Sequence, residues 1–76
     1  MHRMSTATHL TIEYEQEEDG RWIAEVPGLP GVLAYGATAD EAMAKAEALA
    51  LRVLAERLEH KEAKPQPISI DIAVKL

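Results

Sequence analysis

The 76-residue chain has no cysteine, which removes disulfide scaffolding, thiol nucleophiles and thiolate metal sites together. No apolar run approaches the roughly 20 residues that cross a bilayer as a helix, and the N-terminus lacks a hydrophobic leader segment, so a cytoplasmic location is expected. Positive charge is the scarcer sign: eight Lys and Arg stand against thirteen Asp and Glu, a net charge of −5. That balance argues against a surface that grips a phosphate backbone, and it suits a basic partner. The three histidines, His2, His9 and His60, show no HxxxH-type spacing and no Ser or Asp placed as a triad requires, so no catalytic set, metal site or cofactor is expected. Trp22, Tyr14 and Tyr35 are interleaved with a single basic residue, Arg21, which speaks against a base-stacking platform. Internal repeats and low-complexity tracts are absent as well.

What is present is the composition of a globular domain, 47% hydrophobic and rich in alanine. A chain this short buries only about 60% of its unfolded surface, so its core is thin and a homo-oligomer, dimer or tetramer, is expected. Residues 1–8 show no periodicity and are expected to be a frayed start to a single domain over residues 9–76. From His9 the pattern has period two, with Leu10, Ile12 and Tyr14 on one face and Thr11, Glu13 and Glu15 on the other, which predicts a strand with one wet face. Glu17-Glu18-Asp19-Gly20 supplies turn chemistry, since Gly20 takes a positive φ at little cost. The return strand, Arg21 to Val26, places Trp22, Ala24 and Val26 on one face and Arg21, Ile23 and Glu25 on the other.

Pro27-Gly28 and Pro30-Gly31 then bracket Leu29. Proline fixes φ and removes a ladder donor, so a rigid corner is expected there, followed by a short strand from Val32 to Tyr35 that Gly36 closes. Thr38 and Glu41 have the S/T-x-x-E spacing of a capping box. Ala42, Met43, Ala46, Leu49, Ala50, Val53 and Leu54 recur at helical spacing as far as about His60, and the alanines let this helix lie close to a sheet. Leu51 and Leu58 widen the apolar surface into a second packing face or a subunit contact. Beyond Pro65 and Pro67 the chain alternates again: Ile68, Ile70, Ile72, Val74 and Leu76 form one apolar face, which predicts a last strand buried on one side. Strand, strand, short strand, helix, strand is most economically an α+β domain, a small antiparallel sheet with one long helix on one face.

Glu13, Glu15 and Glu25 lie close enough in this pattern to suggest a divalent-metal site and hence a vestigial metal-dependent nuclease. Solvent-facing carboxylates along a hairpin are commoner, and the chain is read as non-enzymatic. The corner at Leu29 is too short and proline-rich for a phosphate loop; its two readings are a rigid turn and a presented contact.

The run Asp19-Gly20-Arg21-Trp22-Ile23-Ala24-Glu25-Val26-Pro27-Gly28-Leu29-Pro30-Gly31, followed by Gly36, Thr38, Glu41 and Ala42, resembles the HicB-like antitoxin family over about residues 9 to 60. Within it Gly20, Pro27, Pro30, Gly31, Gly36, Thr38 and Glu41 are fold-defining positions. The resemblance implies a partial ribonuclease-H-like fold and a toxin-antitoxin role: neutralising a small basic HicA-type mRNA-cleaving toxin by masking its active surface. Glu15, Glu17, Glu18, Asp19, Trp22 and Leu29 are the expected partner-binding residues. Many members continue into a helix-turn-helix or ribbon-helix-helix domain; residues 1–76 hold neither, so direct DNA binding is not expected. The alternative is an orphan homo-oligomeric domain without a toxin. Removing residues 68–76 strips an apolar strand face worth several kcal/mol at about 25 cal/mol per Å². It should lower the melting temperature or break up the assembly, and an unchanged melting temperature and oligomeric state would show that the tail is dispensable.

Overall fold

The computed structural model describes residues 7–74. Its elements are β1 (Thr8–Gln16), β2 (Trp22–Glu25), β3 (Leu33–Gly36), α1 (Ala39–Glu59) and β4 (Ile68–Val74), with the strands in the order β3-β2-β1-β4. The class is α+β, as expected. Residues 1–6 of the expected frayed start, and Lys75 and Leu76 of the last strand, lie outside the described residues. Thr8, placed in that start, opens β1 and pairs with Ile68.

The β1–β2 hairpin turns where the sequence predicts it. The Gly20 amide donates to the Glu17 carbonyl at 3.0 Å and the Glu17 amide to the Arg21 carbonyl at 2.7 Å. Gly20 sits at φ 93°, a conformation that costs a residue with a Cβ heavily. The register sets Tyr14 opposite Ala24 and Gln16 opposite Trp22, and β3 continues it with Trp22 opposite Gly36 and Ala24 opposite Ala34. Partners directly opposite share a face, so Leu10, Ile12, Tyr14, Trp22, Ala24 and Ala34 form one side of the sheet. That side carries the core: Ile12 is fully buried and, with Val26, is the largest side chain wholly out of solvent.

The double Pro-Gly corner consists of two consecutive turns. The Leu29 amide donates to the Val26 carbonyl at 2.9 Å, and the Val32 amide donates to the Leu29 carbonyl at 3.0 Å. Pro27 and Pro30 each take the first central position, where their fixed φ is already correct, and Gly31 takes the second at φ 86°. The chain thereby folds inward, and Leu29 joins the core.

Helix α1 starts at Thr38, whose hydroxyl accepts from the Glu41 amide at 3.1 Å. The Glu41 carboxylate reaches back to the Ala37 amide at 2.5 Å, one residue earlier than in the usual reciprocal box. Ala42, Ala46, Ala50 and Leu54 form the buried stripe. The stripe starts almost on the sheet backbone: a Cβ on Gly36 would stand 2.6 Å from the Ala42 nitrogen. At the other end the Glu62 amide donates to the Arg57 carbonyl at 2.7 Å and the Lys61 amide to the Leu58 carbonyl at 3.2 Å. This is a Schellman closure with Lys61, at φ 60°, where glycine is usual.

Two expectations are corrected by β4. The sheet is mixed rather than antiparallel, because β4 runs parallel to β1. Two reversals leave β3 parallel to β1, and a single returning helix sends β4 in the same direction. It joins the edge of nine-residue β1 rather than that of four-residue β3, where its seven residues find more ladder partners. The apolar face of β4 is also not buried. Helix α1 packs on β1, β2 and β3 and does not touch β4, so only Ile70 is half-covered while Ile68, Ile72 and Val74 stay exposed.

Two substitutions test this frame. Gly36→Ala should destabilise by about 1–3 kcal/mol, because its new methyl meets backbone that has no room to move. Lys61→Gly should stabilise by up to about 1 kcal/mol by removing the left-handed strain at the helix end. Urea unfolding measures both, and equal midpoints for either variant and the parent would contradict the packing or the cap.

Candidate partner-binding surface

The side of the sheet away from α1 is built from the alternate residues of the same three strands. Glu13 stands opposite Glu25, which stands opposite Leu33; Glu15 stands opposite Ile23, which stands opposite Tyr35. With strands about 4.8 Å apart, these are two adjacent rows on one face. The result is an apolar strip of Ile23, Leu33 and Tyr35 bordered by three carboxylates. Leu33 and Tyr35 are exposed, while Ile23, Glu13, Glu15 and Glu25 are half-buried.

The hairpin tip continues this acidic border. Glu17, Glu18 and Asp19 line a shallow depression. The Asp19 carboxylate accepts from the Arg21 backbone amide at 3.0 Å and from its Nε at 2.8 Å. These contacts, the backbone donor foremost, hold the exposed Asp19 carboxyl below its usual range. The Arg21 guanidinium in turn lies 4.5 Å from the centre of the Tyr35 ring, an attraction worth about 0.5–1 kcal/mol at an exposed site. Asp19, Arg21 and Tyr35 thus tie the tip to the open face, and the main cation nearby is already engaged by Asp19 and the ring.

The residues expected from the sequence to bind a partner are divided by this geometry. Glu15 is on the open face and Glu17, Glu18 and Asp19 are at the tip. Trp22 is on the opposite side, half-buried with Tyr14, their ring centroids 6.1 Å apart and the planes tilted by 41°. Leu29 is a correction: at 3% exposure it belongs to the core, because both Pro-Gly turns fold it inward rather than presenting it. Ile23, Leu33 and Tyr35 are not among the residues expected from the sequence to bind a partner. The signal for them was an apolar residue between Arg21 and Glu25, matched by two more at alternate positions of the next strand.

Glu13, Glu15 and Glu25 share a face, yet among the described residues no three His, Asp or Glu side chains gather as a metal-holding group. His9 pairs with Ser69 at 2.7 Å on the strand surface and His60 caps α1; His2 lies outside the described residues. Among the described residues no helix is long and apolar enough to cross a membrane. A second depression, of about 280 Å³, lies between β3 and α1 and is lined by Ala34, Lys45, Ala48, Leu49 and Arg52. In comparisons with known proteins, no family model, no curated protein and no solved structure matches the chain.

Proposed function

We propose that this chain is a non-enzymatic binding module, a HicB-like antitoxin that neutralises a small basic HicA-type mRNA-cleaving toxin by covering its active surface. The observation that carries the reading is the open sheet face, where Ile23, Leu33 and Tyr35 are framed by Glu13, Glu15 and Glu25 and continued by the acidic tip. An apolar centre with a charged border is the anatomy of a protein contact. Carboxylates of one sign speed encounter with a basic partner and disfavour acidic ones. The motif resemblance between Asp19 and Ala42 supports the family and with it the partial ribonuclease-H-like assignment of the fold. No cofactor enters this mechanism, which is steric and electrostatic masking, and direct DNA binding forms no part of it.

The test is inhibition of RNA cleavage by a purified HicA-type nuclease at a one-to-one ratio with the chain. The wild type should suppress cleavage, and inhibition should weaken as salt rises. Glu13→Lys with Glu15→Lys, or Tyr35→Ala, should weaken binding at least tenfold, about 1.4 kcal/mol, while circular dichroism stays unchanged. A nuclease whose rate is the same with and without the chain refutes the reading.

A further inference from the structure

Five of the seven exposed large apolar side chains among the described residues, Leu51, Leu58, Ile68, Ile72 and Val74, lie on the side of the molecule away from the acidic face. Ile68, Ile70, Ile72 and Val74 pair in register with Thr8, Leu10, Ile12 and Tyr14, so they extend the helix-bearing side of the sheet by one strand. The floor of the core continues past the point where its cover stops. Ile12 is fully buried, and its neighbour Ile72, one strand outward, is 57% exposed.

The helix bounds this uncovered floor with an apolar flank of its own. Leu49 and Leu51 project to opposite sides of the buried Ala50, about 100° away in each direction. Leu49 shares the depression with Ala34 of β3, which places Leu51, and Leu58 two turns on, toward β1 and β4. Along this flank Ala44, Leu51, Ala55 and Leu58 are spaced seven, four and three residues apart, a spacing that keeps one face of a helix toward a partner helix. The surface is therefore a step, with β4 as floor and the α1 flank as wall.

We propose that the step is occupied by a second copy of this chain, related by a two-fold axis. Among the described residues no helix lies over the fourth strand and nothing covers this flank of α1, so one symmetric contact satisfies both needs twice. The dimensions agree: Leu51 and Leu58 are about 10.5 Å apart along the helix, and Ile68 and Ile72 are about 13 Å apart along the strand. Charge selects the same face. Two copies of an acidic chain repel, and the carboxylates Glu13, Glu15 and Glu25 with the tip at Glu17–Asp19 make the opposite face the costly one. The inward face of β4 carries no charged side chain between Ile68 and Val74. This inference is independent of the toxin-binding reading, because it uses the other side of the sheet.

Light scattering coupled to gel filtration tests it on the full chain at about 100 μM. The wild type should be a dimer with a melting temperature that rises with concentration. Leu58→Glu and Ile72→Glu each alter a side chain already exposed in the protomer, so circular dichroism should be retained while the dissociation constant rises at least tenfold. Tyr35→Glu, on the acidic face, should leave the dimer intact. A monomeric wild type overturns the proposal, and so does dimerisation only after a different protein is added. It is equally overturned by a dimer that survives both variants or dissolves with Tyr35→Glu.

Discussion

A helix is about 10 Å across and strands lie about 4.8 Å apart, so one helix covers two or three strands of a sheet. The described residues form one helix and four strands, and most of the architecture follows from how that mismatch is distributed. The alanine stripe at positions 42, 46 and 50 presses α1 onto the sheet so closely that Gly36 has no space for a methyl group. That approach completes the core over β1, β2 and β3 and leaves β4 outside it.

The same mismatch explains why the core is small. Its fully buried side chains include three alanines, Ala24, Ala42 and Ala46, and its largest are Ile12 and Val26. Small residues reduce the apolar area taken from water but bring backbone close to backbone, and the stability they forgo comes from elsewhere. Leu29 is one such contribution: the paired Pro-Gly turns act as a pre-bent clip that drives a leucine under the sheet end. The two helix caps are another, satisfying the Glu41 and Ala37 amides at one end and the Arg57 and Leu58 carbonyls at the other.

The sheet consequently has two sides with different chemistry. Carboxylates and an exposed apolar strip occupy the side opposite the helix, while uncharged aliphatic side chains occupy the helix side at β4. Segregation of this kind gives one small domain two chemically distinct surfaces, and a contact on one side would leave the other accessible.

Local chemistry was legible in the sequence because it depends on near neighbours. The turn at Gly20, the corner at Pro27 to Gly31, the cap at Thr38 and the end of α1 near His60 all arise from residues a few positions apart, and each stands within one or two residues of its expected place. Leu29 is legible as a special position, but the choice between a rigid turn and a presented contact is not, because two consecutive turns decide together whether a side chain points in or out. The alternation in residues 68–76 determined that a strand with one apolar face would form. Whether that face is covered was decided only in three dimensions, since cover depends on how many strands α1 spans. Likewise the element order determines that β4 runs parallel to β1 and β3, but only the longer free edge of β1 decides which of them it joins. Sequence determined which residues are apolar and which are charged; the tertiary structure decided which share a face, because faces are assembled across strands from residues that are distant along the chain.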